Sequence, residues 1–209
     1  MSRFTPDFQA GLIDLMRWRR DVRRFRTDPV DEAVLRACLD TFLLSPSVGL
    51  SEPWRVVRVE SLAARKAALD NYSAANDAAL AGYDGERAQL YSRMKLSGMT
   101  DAPVQLAVFC DEGTDKGAGL GAGTMPEMRR YSVVGAITHF WLMARSYGLG
   151  VGWVSILDPD QLARDLRVPG GWALVGYLCV GWPEAVSETP ELERAGWEDR
   201  RGHLPTEVR

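Results

Sequence analysis

The pattern of apolar and polar positions in the N-terminal part of the chain predicts two helices. Apolar side chains first recur at helical spacing in Phe8, Leu12, Leu15 and Met16, with Ile13 beside them. After a break at Asp28-Pro29, Asp31 is a candidate N-cap for a second helix. The apolar face of that helix comprises Val34, Leu35, Cys38, Leu39 and Phe42. A segment rich in arginine separates the two predicted helices.

Four other stretches have the patterns of strands. Residues 55–60 partly alternate between apolar and polar side chains, which indicates a strand with one buried face. Residues 104–110 and 172–181 are mostly apolar and are predicted to be buried strands. The glycine-rich stretch 148–159 is predicted to turn into a short strand that carries Ser155.

The remaining patterns predict four further helices and the fold class. Residues 61–81 are rich in alanine and are predicted to form a long helix. A polar helix is predicted over residues 86–96 and a short helix over residues 161–166. The longest buried helix is predicted to begin at Pro126 and to end at Gly148. Its inward positions are Val133, Val134, Ile137, Phe140, Trp141 and Ala144. Because helices and strands mix without regular βαβ alternation, we predict an α+β fold in one domain, 1–209.

Composition and charge narrow the classes of function. The net charge of -3 argues against a general nucleic-acid-binding surface. No apolar run approaches the roughly 20 residues that span a bilayer, and the first residues lack the pattern of a signal peptide, so we expect a cytoplasmic protein. Without CxxC spacing, Cys38, Cys110 and Cys179 are predicted to be small buried side chains. His139 and His203 show no metal-ligand spacing, and we predict no metal site.

Residues 17–26 contain six arginines, the densest charge in the chain. The planar guanidinium group matches phosphate bidentately, so a local cluster on a slightly acidic protein indicates one bound phosphate. A solvated helix end is the alternative explanation, and composition does not distinguish the two. Asp21 lies inside the cluster. Its carboxylate either neutralises its neighbours or is an acid–base group whose pKa the arginines lower.

The loop 111–124 is a second unusual stretch, in which glycine alternates with other residues from Gly117 to Gly123. This spacing differs from the GxGxxG fingerprint of dinucleotide sites, and no helix begins at the required place. We therefore interpret it as a flexible loop. The sequence also has no Ser–His–Asp order and no P-loop, so spacing alone identifies no reaction.

Residues 19–23, Arg-Arg-Asp-Val-Arg, resemble the arginine signature that opens the FMN site of the nitroreductase family. Most members of that family have a small residue where this chain has Asp21. An aspartate there is similar to one branch, the 5,6-dimethylbenzimidazole synthases. Residues 45–49, 150–155 and 190–197 resemble the same branch, so that the resemblance extends over nearly the whole chain.

The resemblance implies an unusual use of flavin. In this branch reduced FMN is the substrate and O2 splits it. The ring system becomes 5,6-dimethylbenzimidazole, the lower ligand of vitamin B12, and part of the ribityl phosphate leaves as erythrose 4-phosphate. The implied fold is an α+β homodimer with a central mixed sheet flanked by helices, FMN at the subunit interface and extended termini. It includes a helical lid over residues 83–98 and an extended C-terminal arm over residues 182–209.

The same resemblance implies roles for individual residues. Asp21 and Ser155 are the expected catalytic residues. Asp21 would transfer a proton near the ribityl chain, and the Ser155 hydroxyl would orient the oxygenated intermediate beside the flavin ring. The full set expected to bind the flavin is Arg19, Arg20, Asp21, Val22, Arg23, Ser47, Leu96, Ser155 and Arg200.

Two other functions remain open from the sequence. One is an ordinary FMN-dependent NAD(P)H oxidoreductase that keeps its flavin and reduces nitro or quinone compounds. The other is a flavin carrier without catalytic activity. Asp21 and Ser155 favour flavin fragmentation over both. Because the sequence has no nicotinamide fingerprint, we expect NAD(P)H to act only indirectly, through a separate flavin reductase that supplies reduced FMN.

Overall fold

The computed structural model describes residues 3–93 and 96–209. Its centre is a four-stranded sheet in the spatial order β1-β2-β4-β3, and all three neighbouring pairs are antiparallel. The strands are β1 (Trp54–Arg58), β2 (Val104–Asp111), β3 (Gly150–Val154) and β4 (Trp172–Gly181). The sheet is therefore antiparallel, and not mixed as the family resemblance had implied; the one parallel pairing found in the described residues is an isolated bridge between Asp21 and Val151, outside the four strands. The mostly apolar β2 and β4 occupy the middle of the sheet, where both faces are covered.

Eight α-helices are found in the described residues. They are α1 (Pro6–Trp18), α2 (Glu32–Asp40), α3 (Leu62–Leu80), α4 (Gly85–Arg93), α5 (Gly98–Asp101), α6 (Met128–Ser146), α7 (Pro159–Asp165) and α8 (Glu191–Arg194). Asp31 caps α2 as predicted, because its carboxylate accepts hydrogen bonds from the first N–H groups of the helix. The helix predicted over residues 86–96 corresponds to α4; residues 94–95 of that prediction lie outside the described residues.

The core lies in two layers, one on each face of the sheet. On one face, Leu106 and Val108 of β2 pack in a cluster with Phe140 of α6 and with α2. On the other face, Ala107 and Phe109 pack in a cluster with α3, α5 and α7. Alternate residues of β2 thus point to opposite layers, as strand geometry requires.

Local predictions about burial have mixed outcomes. Cys38, Cys110 and Cys179 are fully buried, which confirms that they are small core residues. The prediction that Val134 points inward is wrong, because this residue is 39% exposed on the outer side of α6. The helix α1 forms where its apolar spacing predicts, yet none of its residues is buried. The apolar surface of α1 and α6 therefore exceeds what the core of one chain covers.

No helix in the described part of the chain is long and apolar enough to cross a membrane. Within residues 3–93 and 96–209, no group of three or more His, Cys, Asp or Glu side chains is arranged to hold a metal ion.

Candidate functional site

The arginine-rich segment lies along the outer edge of β3. The Val22 N–H donates a hydrogen bond to the Val151 carbonyl oxygen (3.0 Å), and Asp21 forms a parallel bridge with Val151. Further along, Phe25 forms an antiparallel bridge with Pro183 and is 2% exposed. The segment therefore covers part of a strand edge, and a backbone pairing holds it there.

Two glycines in β3 allow this close approach. A Cβ atom at Gly152 would lie 2.3 Å from the Val22 carbonyl oxygen, and one at Gly150 would lie 2.7 Å from Val22 Cγ2. A larger residue at either position would push the segment away from the strand. Val151, between the two glycines, belongs to the core. The alternation Gly-Val-Gly thus reflects a strand with one face in the core and one face against the arginine-rich segment.

The carboxyl group of Asp21 is held at the edge of β3. Its Oδ1 accepts a hydrogen bond from the Trp153 N–H (2.8 Å), and its Oδ2 lies 4.0 Å from Arg23 Nε. Although 45% of the Asp21 side chain is exposed, partial desolvation of its carboxyl group raises the pKa, and the Trp153 hydrogen bond and the charges of Arg23 and Arg19 oppose the rise. The net direction is opposite to the one that the arginine cluster suggested, because the loss of hydration outweighs the neighbouring positive charges.

Asp21 lines a cavity of about 210 Å³. Arg23, Leu96 and Ser155 line the same cavity, together with Trp153. Ser155 directly follows the last residue of β3 and is exposed. Four of the residues expected at the flavin site are thus brought together from three distant parts of the chain.

Three polar residues of the cavity wall were not predicted from the sequence: Tyr72, Asn76 and Tyr91. Tyr72 and Asn76 lie four residues apart on α3, so they share one face of that helix. The Tyr91 hydroxyl on α4 donates a hydrogen bond to Asn76 Oδ1 (3.0 Å), which ties α4 to α3 beside the cavity. Burial raises the pKa of both tyrosines, so their hydroxyl groups keep their protons at neutral pH. The sequence signal that could have identified Tyr72 and Asn76 is a pair of polar residues four positions apart in an otherwise alanine-rich helix.

A second cavity, of about 400 Å³, lies between the arginine-rich segment and the C-terminal arm. Asp21 and Arg23 line both cavities, so the two adjoin there. The arm begins along its own chain, because the Arg26 N–H donates a hydrogen bond to the Trp182 carbonyl oxygen (2.8 Å). Residues 201–209, at its end, are exposed.

Arg19, Arg20 and Arg200 form a cluster of positive charge in which distant parts of the chain meet. Burial lowers the pKa of Arg19 and of Arg20, and the charge of Arg200 contributes to both decreases. The Arg20 guanidinium donates hydrogen bonds to the carbonyl oxygens of Glu188 and Arg19. Arg19 lies over the Trp141 ring, 4.7 Å from its centroid. Guanidinium groups that repel one another, and that other contacts hold in place, suit a phosphate group.

Ser47 lies apart from both cavities within one chain. Its Oγ accepts a hydrogen bond from the Glu52 N–H (3.0 Å) within a turn. The glycine-rich loop packs on this turn, since a Cβ atom at Gly117 would lie 2.4 Å from the Gly49 carbonyl oxygen. Gly117 also has a φ of +86°, which favours glycine. Part of the loop thus packs against the Ser47 turn, and its predicted flexibility stays a prediction.

The chain is similar in sequence to a known protein family. The sequence profile described as "Nitroreductase family" matches residues 16–182, which include the arginine-rich segment and the whole sheet. The chain belongs to the nitroreductase family. Residues 183–209, most of the C-terminal arm, follow the part that the nitroreductase profile matches.

Two curated relatives are similar over nearly the whole chain, including most of the arm. A protein of Rhodospirillum rubrum named 5,6-dimethylbenzimidazole synthase is 56% identical over 203 residues, which is 96% of this chain and 95% of the relative. A protein of the same name from Rhodobacter capsulatus is 47% identical over 207 residues, which is 98% of this chain and 97% of the relative. The expected resemblance to this branch of the nitroreductase family is confirmed.

A solved structure shares the nitroreductase fold. Iodotyrosine deiodinase bound to FMN and 3-iodo-L-tyrosine superimposes with a TM-score of 0.69, over 95% of this chain and 97% of that one. Its sequence is 20% identical, so the likeness concerns the fold alone. The predicted α+β, nitroreductase-like fold is confirmed.

Proposed function

We propose that this protein uses O2 to fragment reduced FMN, with 5,6-dimethylbenzimidazole and erythrose 4-phosphate as products. Its similarity over nearly the whole chain to two 5,6-dimethylbenzimidazole synthases carries the proposal. The geometry supports it, because Asp21 and Ser155, the residues expected to act in this reaction, line one cavity. An ordinary NAD(P)H-dependent oxidoreductase is less supported, because the two 5,6-dimethylbenzimidazole synthases are 56% and 47% identical to this chain over nearly its whole length.

The charges of the site fit FMN as the substrate. We assign its phosphate to Arg19, Arg20 and Arg200, because an anion between these guanidinium groups offsets their mutual repulsion. The ring and the ribityl chain are assigned to the smaller cavity, which Asp21 lines. The other proposed contacts to the flavin come from Val22, Arg23, Leu96 and Ser155.

Asp21 is proposed to be the acid–base group that transfers a proton beside the ribityl chain. Reduced FMN, when bound, would be the group that reacts with O2. Because the Trp153 N–H occupies Oδ1, Oδ2 of Asp21 is the atom that accepts and returns a proton beside the ribityl chain. The raised pKa makes this carboxylate a stronger base than an ordinary aspartate, and its protonated form persists closer to neutral pH. The Trp153 N–H also fixes the direction in which Oδ2 points.

Ser155 and α4 act at the ring end of the cavity. The Ser155 hydroxyl, one residue beyond β3, is proposed to donate a hydrogen bond there and to orient the reacting oxygen. The helix α4 covers the cavity, with Tyr91 tied to Asn76, and would keep water from the reaction. We therefore propose residues 83–98 as the lid; residues 94–95 lie outside the described part.

We further propose a homodimer. Phe8, Ile13 and Met16 of α1 are each about half exposed, and α6 adds exposed apolar residues such as Val134. Soluble monomers rarely expose a continuous apolar surface of this kind. A second copy that covers it would bring its own Ser47 turn to the flavin of the first. In that arrangement Ser47 contacts flavin across the interface, and not within its own chain.

The origin of the reduced flavin stays a prediction. Delivery of reduced FMN by a separate flavin reductase, with NAD(P)H acting only through that enzyme, fits the missing nicotinamide fingerprint. The cytoplasmic location expected from the sequence also stays a prediction.

A single-turnover experiment tests the proposed reaction. The purified protein is mixed with chemically reduced FMN without oxygen, air is admitted, and the products are separated by chromatography and identified by mass. We expect 5,6-dimethylbenzimidazole to form as flavin disappears. Complete recovery of oxidised flavin would contradict the proposal. An NADH-dependent nitro or quinone reduction in the same preparation would then identify the ordinary oxidoreductase, and its absence the flavin carrier.

A further inference from the structure

The C-terminal arm contacts the helix that covers the cavity. The ring of Trp197 meets the ring of Tyr83 edge to face, with centroids 5.5 Å apart, and lies 6.4 Å from the ring of Tyr91. The two tyrosine rings lie 5.2 Å apart, so the three form one cluster. The Arg87 guanidinium lies 5.0 Å from the centroid of the Trp197 ring. Trp197 thus touches α4 at Arg87 and Tyr91, and it also touches Tyr83, two residues before the helix begins.

The position of Trp197 is fixed by the end of α8. The Trp197 N–H donates a hydrogen bond to the Leu192 carbonyl oxygen (2.8 Å), and the Gly196 N–H donates one to the Glu193 carbonyl oxygen (3.0 Å). Gly196 has a φ of +75°, so the chain leaves the helix in a glycine-dependent C-cap. Glu191 of the same helix lines the larger cavity beside Asp21. Trp197 therefore closely follows a helix, α8, that lines the larger cavity.

Arg200 follows Trp197 by three residues and belongs to the cluster with Arg19 and Arg20. Its charge acts unfavourably on both of those guanidinium groups. A phosphate group among the three would convert this repulsion into attraction and would hold Arg200 in place. The arm is also tied to this cluster by direct contact, because the Arg20 guanidinium donates hydrogen bonds to the Glu188 carbonyl oxygen. Only two residues separate Trp197 from Arg200 along the chain.

We propose that Trp197 is a positioning residue which, together with the phosphate-binding Arg200, makes the placement of α4 depend on the phosphate group of the substrate. Phosphate holds Arg200, Arg200 holds the turn after α8, and Trp197 holds α4 through Tyr83, Arg87 and Tyr91. Tyr91 in turn is tied to Asn76 in the cavity wall. The inference rests on the proposed function for its substrate, FMN, but it concerns binding and not the reaction.

The dependence on phosphate predicts a difference between FMN and riboflavin, which has the same ring and no phosphate. We measure amide hydrogen exchange of residues 85–93 in the full-length protein by mass spectrometry. The protein is compared free, saturated with FMN and saturated with riboflavin, with flavin binding followed by fluorescence. We expect FMN to slow exchange in α4 by about fivefold or more beyond the effect of riboflavin, a coupling typical of linked sites.

Single-residue variants test which side chains transmit the effect of the FMN phosphate group to α4. Trp197→Ala should reduce the effect of FMN on α4 to that of riboflavin, and Trp197→Phe, which keeps an aromatic ring, should restore most of it. Arg200→Gln should act like Trp197→Ala at saturating FMN. Arg201→Gln, at the neighbouring exposed arginine, should leave the FMN effect unchanged.

The outcomes separate this inference from the proposed function. Equal protection of α4 by riboflavin and FMN would overturn the inference, even if the protein forms 5,6-dimethylbenzimidazole. Full FMN-dependent protection in Trp197→Ala would overturn it as well. Phosphate-dependent protection that disappears in Trp197→Ala would support it, even if the single-turnover experiment returned all the flavin. Failure of the wild-type protein to bind either flavin would overturn both.

Discussion

On the Asp21 side of the cavity, backbone groups position the side chain proposed to transfer a proton, whereas on the α4 side contacts between side chains hold the proposed lid. The Val22 N–H pairs with β3, and the Trp153 N–H binds the carboxyl group itself. The cover is held by the Tyr91 hydroxyl and by an aromatic cluster that includes Trp197. On the Asp21 side, the glycines of β3 are in such close contact with Val22 that a larger residue would not fit. On the other side, α4 is polar and exposed along much of its length.

The difference fits the two tasks that we propose for these sides, proton transfer by Asp21 and coverage of the cavity by α4. Proton transfer requires a geometry held to a fraction of an ångström, which a sheet edge provides. A cover must admit the substrate and release products, and elements with few buried contacts open at a low cost in free energy. We therefore expect changes on the Asp21 side to abolish the reaction and changes on the α4 side to alter it by degrees.

The largest effect is expected for Gly152→Ala. The new Cβ atom would lie 2.3 Å from the Val22 carbonyl oxygen, so the arginine-rich segment must move off β3. Overpacking of this kind costs about 2 kcal/mol of unfolding free energy. Urea denaturation measures this loss, and the single-turnover assay should show no product. Gly170→Ala is the control, since nothing lies within 4 Å of its Cβ position. Equal stability of the two variants would show that the segment is not held as tightly as described.

Asp21→Asn is expected to abolish fragmentation while leaving the site intact. The amide oxygen still accepts the Trp153 hydrogen bond, but the group no longer exchanges a proton at Oδ2. Loss of a general acid–base group slows the reaction by about 100-fold or more. Single-turnover product yield and FMN titration are measured together. Asp28→Asn, at an exposed ion pair with Arg26, is the control. Normal product formation by Asp21→Asn would refute the role of Asp21.

The raised pKa of Asp21 gives two pH-dependent predictions. The carboxylate is protonated at higher pH than an ordinary aspartate, so product formation should fall on the acid side at correspondingly higher pH. Ionising this carboxyl also costs folding stability, a cost that is absent below its unfolded-state pKa and complete above the raised pKa. Asp21→Asn should therefore be at least as stable as the wild type at neutral pH. Lower stability of the variant there would mean that the charge is stabilising.

Ser155→Ala should have a smaller effect on the reaction and none on stability. Ser155 is exposed beyond the end of β3, so removal of its hydroxyl leaves the fold unchanged. One lost hydrogen bond, worth about 0.5–1.5 kcal/mol, corresponds to a decrease in product yield of about tenfold or less. The rest of the flavin should return in oxidised form. Ser146→Ala, at an exposed serine of α6 that lines neither cavity, provides the comparison, and equal yields from both variants would leave Ser155 without a role in the reaction.

The smallest effect is expected for Tyr91→Phe. The substitution keeps the ring in the cluster with Tyr83 and Trp197 and removes only the hydrogen bond to Asn76. This should lower the free energy of local opening of α4 by about 1 kcal/mol or less. Hydrogen exchange of residues 85–93 measures the change, with Tyr147→Phe at the end of α6 as the control. A complete loss of product in Tyr91→Phe would show that this side has a chemical role as well.

Much of the fold could be predicted from local pattern. The spans of β2 and β4, the cap at Asp31 and the burial of Cys179 depend on apolar runs and near neighbours in the chain. The prediction failed where burial depends on a surface that one chain does not cover, as for Val134 and α1. Apolar spacing predicts which face of a helix avoids water, but it does not identify what covers that face.

By itself the sequence determined the class of the fold and the arginine-rich segment, and its resemblance to one branch of the family made Asp21 and Ser155 the candidate catalytic residues. Only the tertiary structure decided that the Trp153 N–H holds Asp21, and that Arg200 joins Arg19 and Arg20. It also decided the direction of the pKa of Asp21, against the expectation from its arginine neighbours. The physical reason is that hydration and charge act through space. Both depend on groups from distant parts of the chain, whose distances no local spacing contains.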